Sequence, residues 1–156
     1  MNPDSIAPLS EFRHAVDMQL RFNDIDILGH LNNTAYFSLY DTGKAHYFNA
    51  VKHGTMDWQK VETVIANVNC TYMSPMFFGE EIEVYTRCIS MSEKSFVLLQ
   101  VLREKNTGEV KSVCETVMVC YDPRRRESIQ MPEQWRKDLY EYERHDIVDV
   151  RKHMQK

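Results

Sequence analysis

The sequence lacks any long hydrophobic run, since no stretch of its 156 residues approaches the roughly 20 consecutive apolar residues of a membrane-spanning helix. Its first residues, M-N-P-D-S-I-A-P, lack the basic start and the apolar run of a secretory signal. It also lacks an excess of basic residues, because 19 Lys and Arg stand against 23 Asp and Glu. The resulting net charge of −4 argues against duplex nucleic acid as a partner. We therefore expect a cytoplasmic protein that binds neither membranes nor nucleic acids.

Closely spaced cysteines are absent as well. Cys70, Cys88, Cys114 and Cys120 lie far apart and form none of the short Cys-x-x-Cys or Cys/His spacings that hold zinc. Each lies in a stretch that alternates like a strand, where a cysteine usually packs as a small hydrophobic residue. We therefore expect no metal site and no cofactor.

Glycine and proline are scarce, at 5 residues each, whereas 43% of the residues are apolar. This composition excludes collagen-like repeats and disorder, and it is typical of a globular chain with a real core. The length allows one ordinary domain. We expect a flexible N-terminal arm over residues 1–13, a single domain over residues 14–145 and a tail over residues 146–156.

The first patterned segments are a strand and a long helix. Apolar residues alternate with polar ones over residues 14–22, which predicts a half-buried strand. A helix is predicted from Thr34 to about Val51, because one face carries Tyr36, Tyr40, Gly43 and Tyr47. Since glycine costs about 1 kcal/mol relative to alanine inside a helix, Gly43 indicates that another part of the chain packs closely against this face.

Four further stretches alternate like strands; a longer turn follows the first of them, and the last three are joined by short polar connections. They are Thr63–Tyr72, Glu80–Met91, Ser95–Glu104 and Glu109–Tyr121. Connections this short favour hairpins, so neighbouring strands should be antiparallel. A short helix is expected over about residues 132–144, with a proline at its first turn. The order strand, long helix and four strands predicts an α+β domain, in which about five antiparallel strands pack against one helix.

Polar side chains are concentrated between the first strand and the long helix. They are Asn23, Asp24, Asp26, His30, Asn32 and Asn33. The amides at a helix N-terminus can stabilise the oxygen of a polarised carbonyl, and a nearby carboxylate or imidazole can act as nucleophile or general base. The alternative is that the carboxylates and amides only form turns and helix caps while His30 packs beneath the helix.

The run R-F-N-D-I-D-I-L-G-H-L-N-N-T-A-Y resembles the signature of the hotdog-fold acyl-thioester hydrolases. These include 4-hydroxybenzoyl-CoA thioesterase, the long-chain acyl-CoA thioesterases and the plant acyl-carrier-protein thioesterases. The similarity rests on Asp-x-Asp, on Gly-His-x-Asn-Asn and on Tyr36, and it extends over about residues 14–121. It implies a hotdog fold, in which the antiparallel sheet wraps around the long helix.

This resemblance implies roles for individual residues. Asp26 matches the catalytic carboxylate of the 4-hydroxybenzoyl-CoA type, as nucleophile or as general base, and Asp24 matches its structural neighbour. Asn33 matches the residue whose backbone N–H polarises the thioester carbonyl. His30 matches the histidine of the carrier-protein thioesterases. Their asparagine two positions earlier is Leu28 here, so we expect His30 to be secondary to Asp26.

Substrate contacts are predicted at Asn32, Tyr36, Lys94 and Ser95. Lys94 matches a basic position of the family and could bind a phosphate of the substrate arm, as could the run Arg124–Arg126, although such a run is more often a solvated segment. The residues that could line an acyl tunnel are Tyr36, Tyr40, Met73, Met76, Phe77 and Phe78. Asp41 and Lys44 match an ion pair on the helix and are expected to be structural.

The function implied is hydrolysis of an acyl-CoA or acyl-carrier-protein thioester to a free acid and a thiol. The alternatives are a non-catalytic protein that binds acyl thioesters, because a fold does not fix its function, and a hotdog dehydratase, whose pattern of acid and histidine we do not find. The family pairs its subunits, and an exposed sheet edge is usually covered. A homodimer or homotetramer is therefore expected.

Overall fold

The computed structural model describes residues 8–144 and 146–151. It contains two α-helices, α1 (Ala35–Val51) and α2 (Glu133–Tyr142). The strands, in chain order, are β1 (His14–Met18), β2 (Thr63–Tyr72), β3 (Ile82–Met91), β4 (Ser95–Glu104), β5 (Val110–Asp122), β6 (Glu127–Ser128) and β7 (Val148–Asp149). Neither helix combines the length and apolar character needed to cross a membrane, within the residues described.

The five long strands form a curled antiparallel sheet in the order β1-β3-β4-β5-β2, which confirms the predicted α+β hotdog class. The short strands β6 and β7 pair with β5 and β3. The bounds predicted for β2 and β4 agree with the structure residue for residue. The hairpin between β3 and β4 closes where Ser92 N–H donates to the Ser95 carbonyl oxygen at 2.8 Å.

Helix α1 begins one residue after Thr34 and buries the predicted face. Tyr36, Tyr40 and Tyr47 are 3%, 1% and 0% exposed. The helix ends as expected, because His53 and Gly54 both have a positive φ and Gly54 N–H donates to the Asn49 carbonyl oxygen at 2.8 Å. The left-handed conformation thus satisfies a terminal carbonyl and stops the helix.

The residues divide into two compact units. The first comprises the described residues up to Tyr47 together with residues 70–86 and 100–114. Its apolar core includes Leu31, Tyr40, Val84, Leu102 and Cys114. Within it, β1 pairs with β3 through His14 to Met18, and the predicted ion pair between Lys44 Nζ and Asp41 Oδ1 is present at 2.9 Å.

The second unit comprises residues 48–69 and 87–99 and the described residues from 115 onward. The Phe48 ring packs edge-on against the rings of Phe96 and Trp135, at centroid distances of 6.1 and 5.6 Å. Lys52 Nζ pairs with Asp138 Oδ2 at 2.6 Å and lies 4.3 Å from the centroid of the Trp135 ring. These contacts fix α2, whose bounds agree with the predicted C-terminal helix to within two residues.

The first strand is shorter than predicted, and this is a correction. It ends at Met18, although the alternation continues to Phe22. Leu20 is still buried, whereas Phe22 begins a 3-10 turn and is 81% exposed. The turn forms because the Asp24 carboxylate accepts hydrogen bonds from the Arg21 backbone and guanidinium, each at 2.8 Å, which bends the chain away from the strand.

The two predicted terminal segments lie partly outside the described residues. Within the predicted arm, Leu9–Glu11 form a 3-10 turn and the Phe12 ring packs edge-on against Tyr85 at 5.9 Å. Within the predicted tail, the two-residue strand β7 pairs in parallel with β3. Strand β7 is too short for a sequence pattern to reveal. The single domain over residues 14–145 stays a prediction.

Candidate active site

A tight loop carries the candidate carboxylate in the first unit. Gly29 adopts a positive φ of 85°, which L side chains rarely adopt, and its N–H donates to the Asp26 carbonyl oxygen at 3.0 Å. Asp26 N–H in turn donates to the His30 carbonyl oxygen at 3.2 Å. An isolated bridge between Ile25 and Leu31 closes the loop. The backbone alone therefore fixes the position of Asp26.

Both oxygens of the Asp26 carboxylate accept a hydrogen bond. Oδ1 accepts from Leu28 N–H at 2.8 Å, and Oδ2 accepts from Asn32 Nδ2 at 2.9 Å. The Leu28 N–H, followed by the Asn32 amide and the charge of His30, lowers the pKa of Asp26 below its ordinary value. Asp26 is thus ionised at neutral pH, as a nucleophile or a general base must be.

Asn32 links this carboxylate to the start of α1. While its Nδ2 donates to Asp26, its Oδ1 accepts from Thr34 N–H at 2.9 Å and from Thr34 Oγ1 at 2.5 Å. This turn satisfies an amide just before the helix, as predicted for an asparagine at this place. Because both ends of the side chain already have partners within the protein, the geometry favours a positioning role. Its contact with substrate stays a prediction.

The main chain of Asn33 lies at the same helix start. Within the described residues its N–H has no hydrogen-bond partner, so it can donate to a bound carbonyl oxygen. Its own carbonyl oxygen accepts from the Tyr72 hydroxyl at 3.1 Å. The Tyr72 ring packs edge-on against Tyr36, with centroids 4.8 Å apart. Tyr72 is not predicted as a site residue from the sequence. In β2 its side chain lies on the same face of the strand as that of Cys70, two residues earlier.

These side chains surround one cavity of about 380 Å³. Its lining includes Asp26, His30, Asn33, Tyr36 and Tyr72. The structure therefore brings the three predicted catalytic residues and Tyr36 together. A larger cavity of about 570 Å³ in the same unit is lined by Phe78, one of the predicted acyl-tunnel residues, but by none of the predicted catalytic residues. The smaller cavity is thus the candidate site, since it is lined by Asp26 and by Asn33, whose backbone N–H has no partner within the described residues.

The other titratable residues of the loop have different surroundings. His30 is half-buried, and its Nδ1 lies 3.4 Å from the Leu31 carbonyl oxygen, a contact that orients the ring. Asp24 is 8% exposed and its oxygens are occupied by Arg21, which lowers the pKa of Asp24. Asp24 is therefore a structural carboxylate. No three His, Cys, Asp or Glu side chains within residues 8–144 and 146–151 could hold a metal ion.

Lys94 and Ser95 belong to the second unit. Lys94 Nζ is exposed and lies 3.5 Å from Ser128 Oγ, a long contact that leaves the ammonium available to an anion. The Ser95 hydroxyl lies 2.7 Å from Ser92 Oγ and is used in the hairpin. Of the arginine run, Arg125 is engaged, because its Nε lies 3.1 Å from both Asp122 Oδ2 and Glu127 Oε1.

Comparison with solved structures supports the fold. A thioesterase from Thermus thermophilus, crystallised with coenzyme A and zinc, matches with a TM-score of 0.76 and 25% sequence identity, covering 85% of this chain and 96% of that chain. The protein SAV2348 from Staphylococcus aureus, crystallised with CoA, matches with a TM-score of 0.74 and 16% identity, covering 84% of both chains.

Sequence comparison identifies the family. The long-chain acyl-CoA thioesterase FadM of Escherichia coli is 20% identical over 125 residues, which cover 78% of this chain and 93% of that protein. The family model for the thioesterase-like superfamily matches residues 20–139, a range that contains the loop, α1, the strands β2 to β6 and most of α2. The chain therefore belongs to the thioesterase-like superfamily and is a thioester hydrolase of the hotdog fold.

Proposed function

We propose that the protein hydrolyses acyl-coenzyme A thioesters in the cavity beside Asp26. The observation that carries this proposal is that an ionised carboxylate and a backbone N–H without a partner within the described residues line the same cavity. The N–H of Asn33 and the positive end of α1 polarise the thioester carbonyl. The coenzyme A bound to two similar structures and the acyl-CoA activity in the name of a relative favour CoA over a carrier protein.

The reaction can follow either of two routes with the same residues. In one, Asp26 attacks the carbonyl carbon, the C–S bond breaks as the thiolate leaves, and water then hydrolyses the anhydride. In the other, Asp26 removes a proton from a water molecule that attacks the carbonyl carbon directly, and the thiolate takes up a proton. A thiolate is a good leaving group, so neither route needs a metal ion.

A hydrolysis screen across acyl-CoA substrates of different chain length and aromatic character tests this proposal. The purified protein is mixed with each substrate, and the released CoA thiol is detected with a disulfide reagent. We expect release from at least one acyl-CoA, with a higher kcat/KM than for the same acyl group on a carrier protein. Binding of every acyl-CoA without thiol release would contradict the proposal, as would release from the carrier protein alone.

The pKa of Asp26 gives a pH prediction. Activity requires the carboxylate form, so it is lost as the pH falls through the pKa of Asp26. Since the Asn32 amide helps to lower that pKa, Asn32→Ala should raise it and move the acid limb of the kcat/KM profile to higher pH. Thr34→Val is the matched control, because it removes the hydroxyl that donates to Asn32 Oδ1 and leaves the bond from Asn32 to Asp26 in place. A profile unmoved by Asn32→Ala would contradict the positioning role.

We also propose that Lys94 binds a phosphate of the CoA arm. Lys94→Ala should raise KM for acyl-CoA with kcat nearly unchanged, because the contact is made equally in the ground and transition states. The effect should weaken as salt is added, since exposed charges are screened over about 8 Å at physiological ionic strength. Lys137→Ala removes another exposed lysine of the second unit and serves as the control. Equal KM values for both variants would contradict the assignment.

A homodimer is the proposed assembly. Strand β2 lies at one end of the sheet order and exposes apolar side chains on both faces, with Val64, Ile65 and Val68 at 42%, 46% and 37% exposure. An edge of this kind is a template for pairing with a second chain. Light scattering should give a dimer or a tetramer, and Ile65→Lys should shift it toward the monomer. A stable, active wild-type monomer at micromolar concentration would contradict this.

A further inference from the structure

Two cysteines lie side by side on neighbouring strands of the first unit. Met73 N–H donates to the Lys111 carbonyl oxygen at 2.9 Å. In an antiparallel pair, equal steps back along β2 from Met73 and forward along β5 from Lys111 place Cys70 opposite Cys114. The Cys70 Sγ also lies 3.3 Å from Ser112 Oγ, a diagonal contact on the same face. The register and this contact therefore bring the two thiols together.

The register suits a disulfide. Directly opposite residues of an antiparallel pair have Cα atoms about 5.5 Å apart when they are hydrogen-bonded and about 4.5 Å apart when they are not. Both spacings lie within the disulfide range of about 4.4–6.8 Å. Both cysteines are free thiols in the structure. The backbone spacing is therefore compatible with a disulfide between two thiols that are reduced.

The neighbours of Cys70 favour its ionised form. The Tyr40 hydroxyl donates to Ser112 Oγ at 2.8 Å, which directs the Ser112 hydrogen toward the Cys70 sulfur. Hydrogen bonds from the Cys114 thiol, and then from Ser112, outweigh burial and lower the pKa of Cys70 to about 6. Cys70 is half-buried, whereas Cys114 is only 1% exposed. The accessible thiol of the pair is thus the nucleophilic one.

We propose that Cys70 and Cys114 form an oxidation site for hydrogen peroxide, in which Cys70 reacts first and Cys114 closes a disulfide. The Cys70 thiolate attacks the peroxide, an S–O bond forms and the O–O bond breaks, and the leaving oxygen takes up a proton as water. The Cys114 sulfur then attacks the Cys70 sulfenic acid and loses its proton. An S–S bond forms, the S–O bond breaks and a second water leaves. One hydrogen peroxide thus oxidises both thiols.

The experiment treats the folded, full-length protein with hydrogen peroxide at neutral pH, then alkylates the remaining thiols under denaturing conditions and maps the peptides by mass spectrometry. We expect a linked peptide pair of Cys70 and Cys114, lighter by two hydrogens than the reduced pair. Cys120 is the internal control, because burial raises its pKa to about 11. Cys70 should be consumed on the order of tenfold faster than Cys120, or more.

Two variants separate the steps. Cys114→Ser leaves no second thiol opposite Cys70, so Cys70 should stop at the sulfenic acid and be trapped by dimedone. Cys70→Ser should leave Cys114 unoxidised, and Cys120→Ser should form the same disulfide as the wild type. Oxidation of Cys120 as fast as Cys70 would overturn the proposal, as would conversion of wild-type Cys70 to a sulfinic acid with Cys114 unmodified. The covalent readout does not depend on hydrolase activity.

Discussion

Gly43→Val is expected to lower the free energy of unfolding by about 1–3 kcal/mol, the usual cost of overpacking a filled core. A Cβ at Gly43 would lie 2.7 Å from Val84 Cγ1 and 3.1 Å from Gln100 Nε2. The amide cannot move freely, because it donates to the Tyr40 carbonyl oxygen and to Thr86 Oγ1, both at 3.0 Å. The β-strand and the helix must therefore separate, or these two hydrogen bonds must be broken.

Thr42→Val is the matched control, since it places the same side chain on the exposed face of the same helix. Surface changes of this kind usually alter stability by less than about 0.5 kcal/mol. Denaturant unfolding of both variants measures the difference. A Gly43→Val protein as stable as the Thr42→Val protein would show that glycine is not required by the contact with Val84.

The strands show which parts of the fold are predictable from sequence. Period-two alternation bounded by turn residues places β2 and β4 correctly, because half-buried strands impose that pattern. Alternation also continues through Phe22, where the Arg21 and Asp24 hydrogen bonds turn the chain into a 3-10 helix. Local patterns do not contain that competing contact, so the predicted first strand is too long.

The candidate site is predictable from sequence only in part. The motif identifies Asp26 and Asn33, which lie just before the long helix, as candidate catalytic residues. The pairing of Asp26 with Asn32, and of Tyr72 with the Asn33 carbonyl, requires the folded loop and a strand distant in sequence. The Cys70 and Cys114 pair likewise depends on strand register. Reading each cysteine separately as a small hydrophobic residue therefore misses their proximity, because register is a property of two segments together.

Asp26→Asn is expected to lower kcat by about 10²–10⁴, the usual effect of losing a positioned base. The amide keeps the shape and can still accept at its Oδ1 from Leu28 N–H, but it cannot carry the negative charge that attacks the carbonyl or deprotonates water. Its loop is fixed by the backbone bonds of Gly29 and His30, so folding and assembly should persist.

His30→Ala is expected to reduce kcat less than Asp26→Asn does. The His30 ring contacts the Leu31 carbonyl oxygen, and its charge contributes the least of the favourable effects on the pKa of Asp26. Leu28 stands where the histidine mechanism of the carrier-protein thioesterases has an asparagine, and its side chain cannot hydrogen-bond an imidazole. We therefore expect His30 to support the carboxylate and not to replace it.

The most direct test is kcat for the best acyl-CoA substrate, measured for the wild type, Asp26→Asn and His30→Ala under one set of conditions, with circular dichroism to confirm folding. The account predicts that Asp26→Asn is folded and nearly inactive, while His30→Ala retains the greater activity. Near-wild-type hydrolysis by folded Asp26→Asn would contradict the assignment of Asp26 as the catalytic carboxylate. A greater loss in His30→Ala would instead indicate a histidine-centred mechanism.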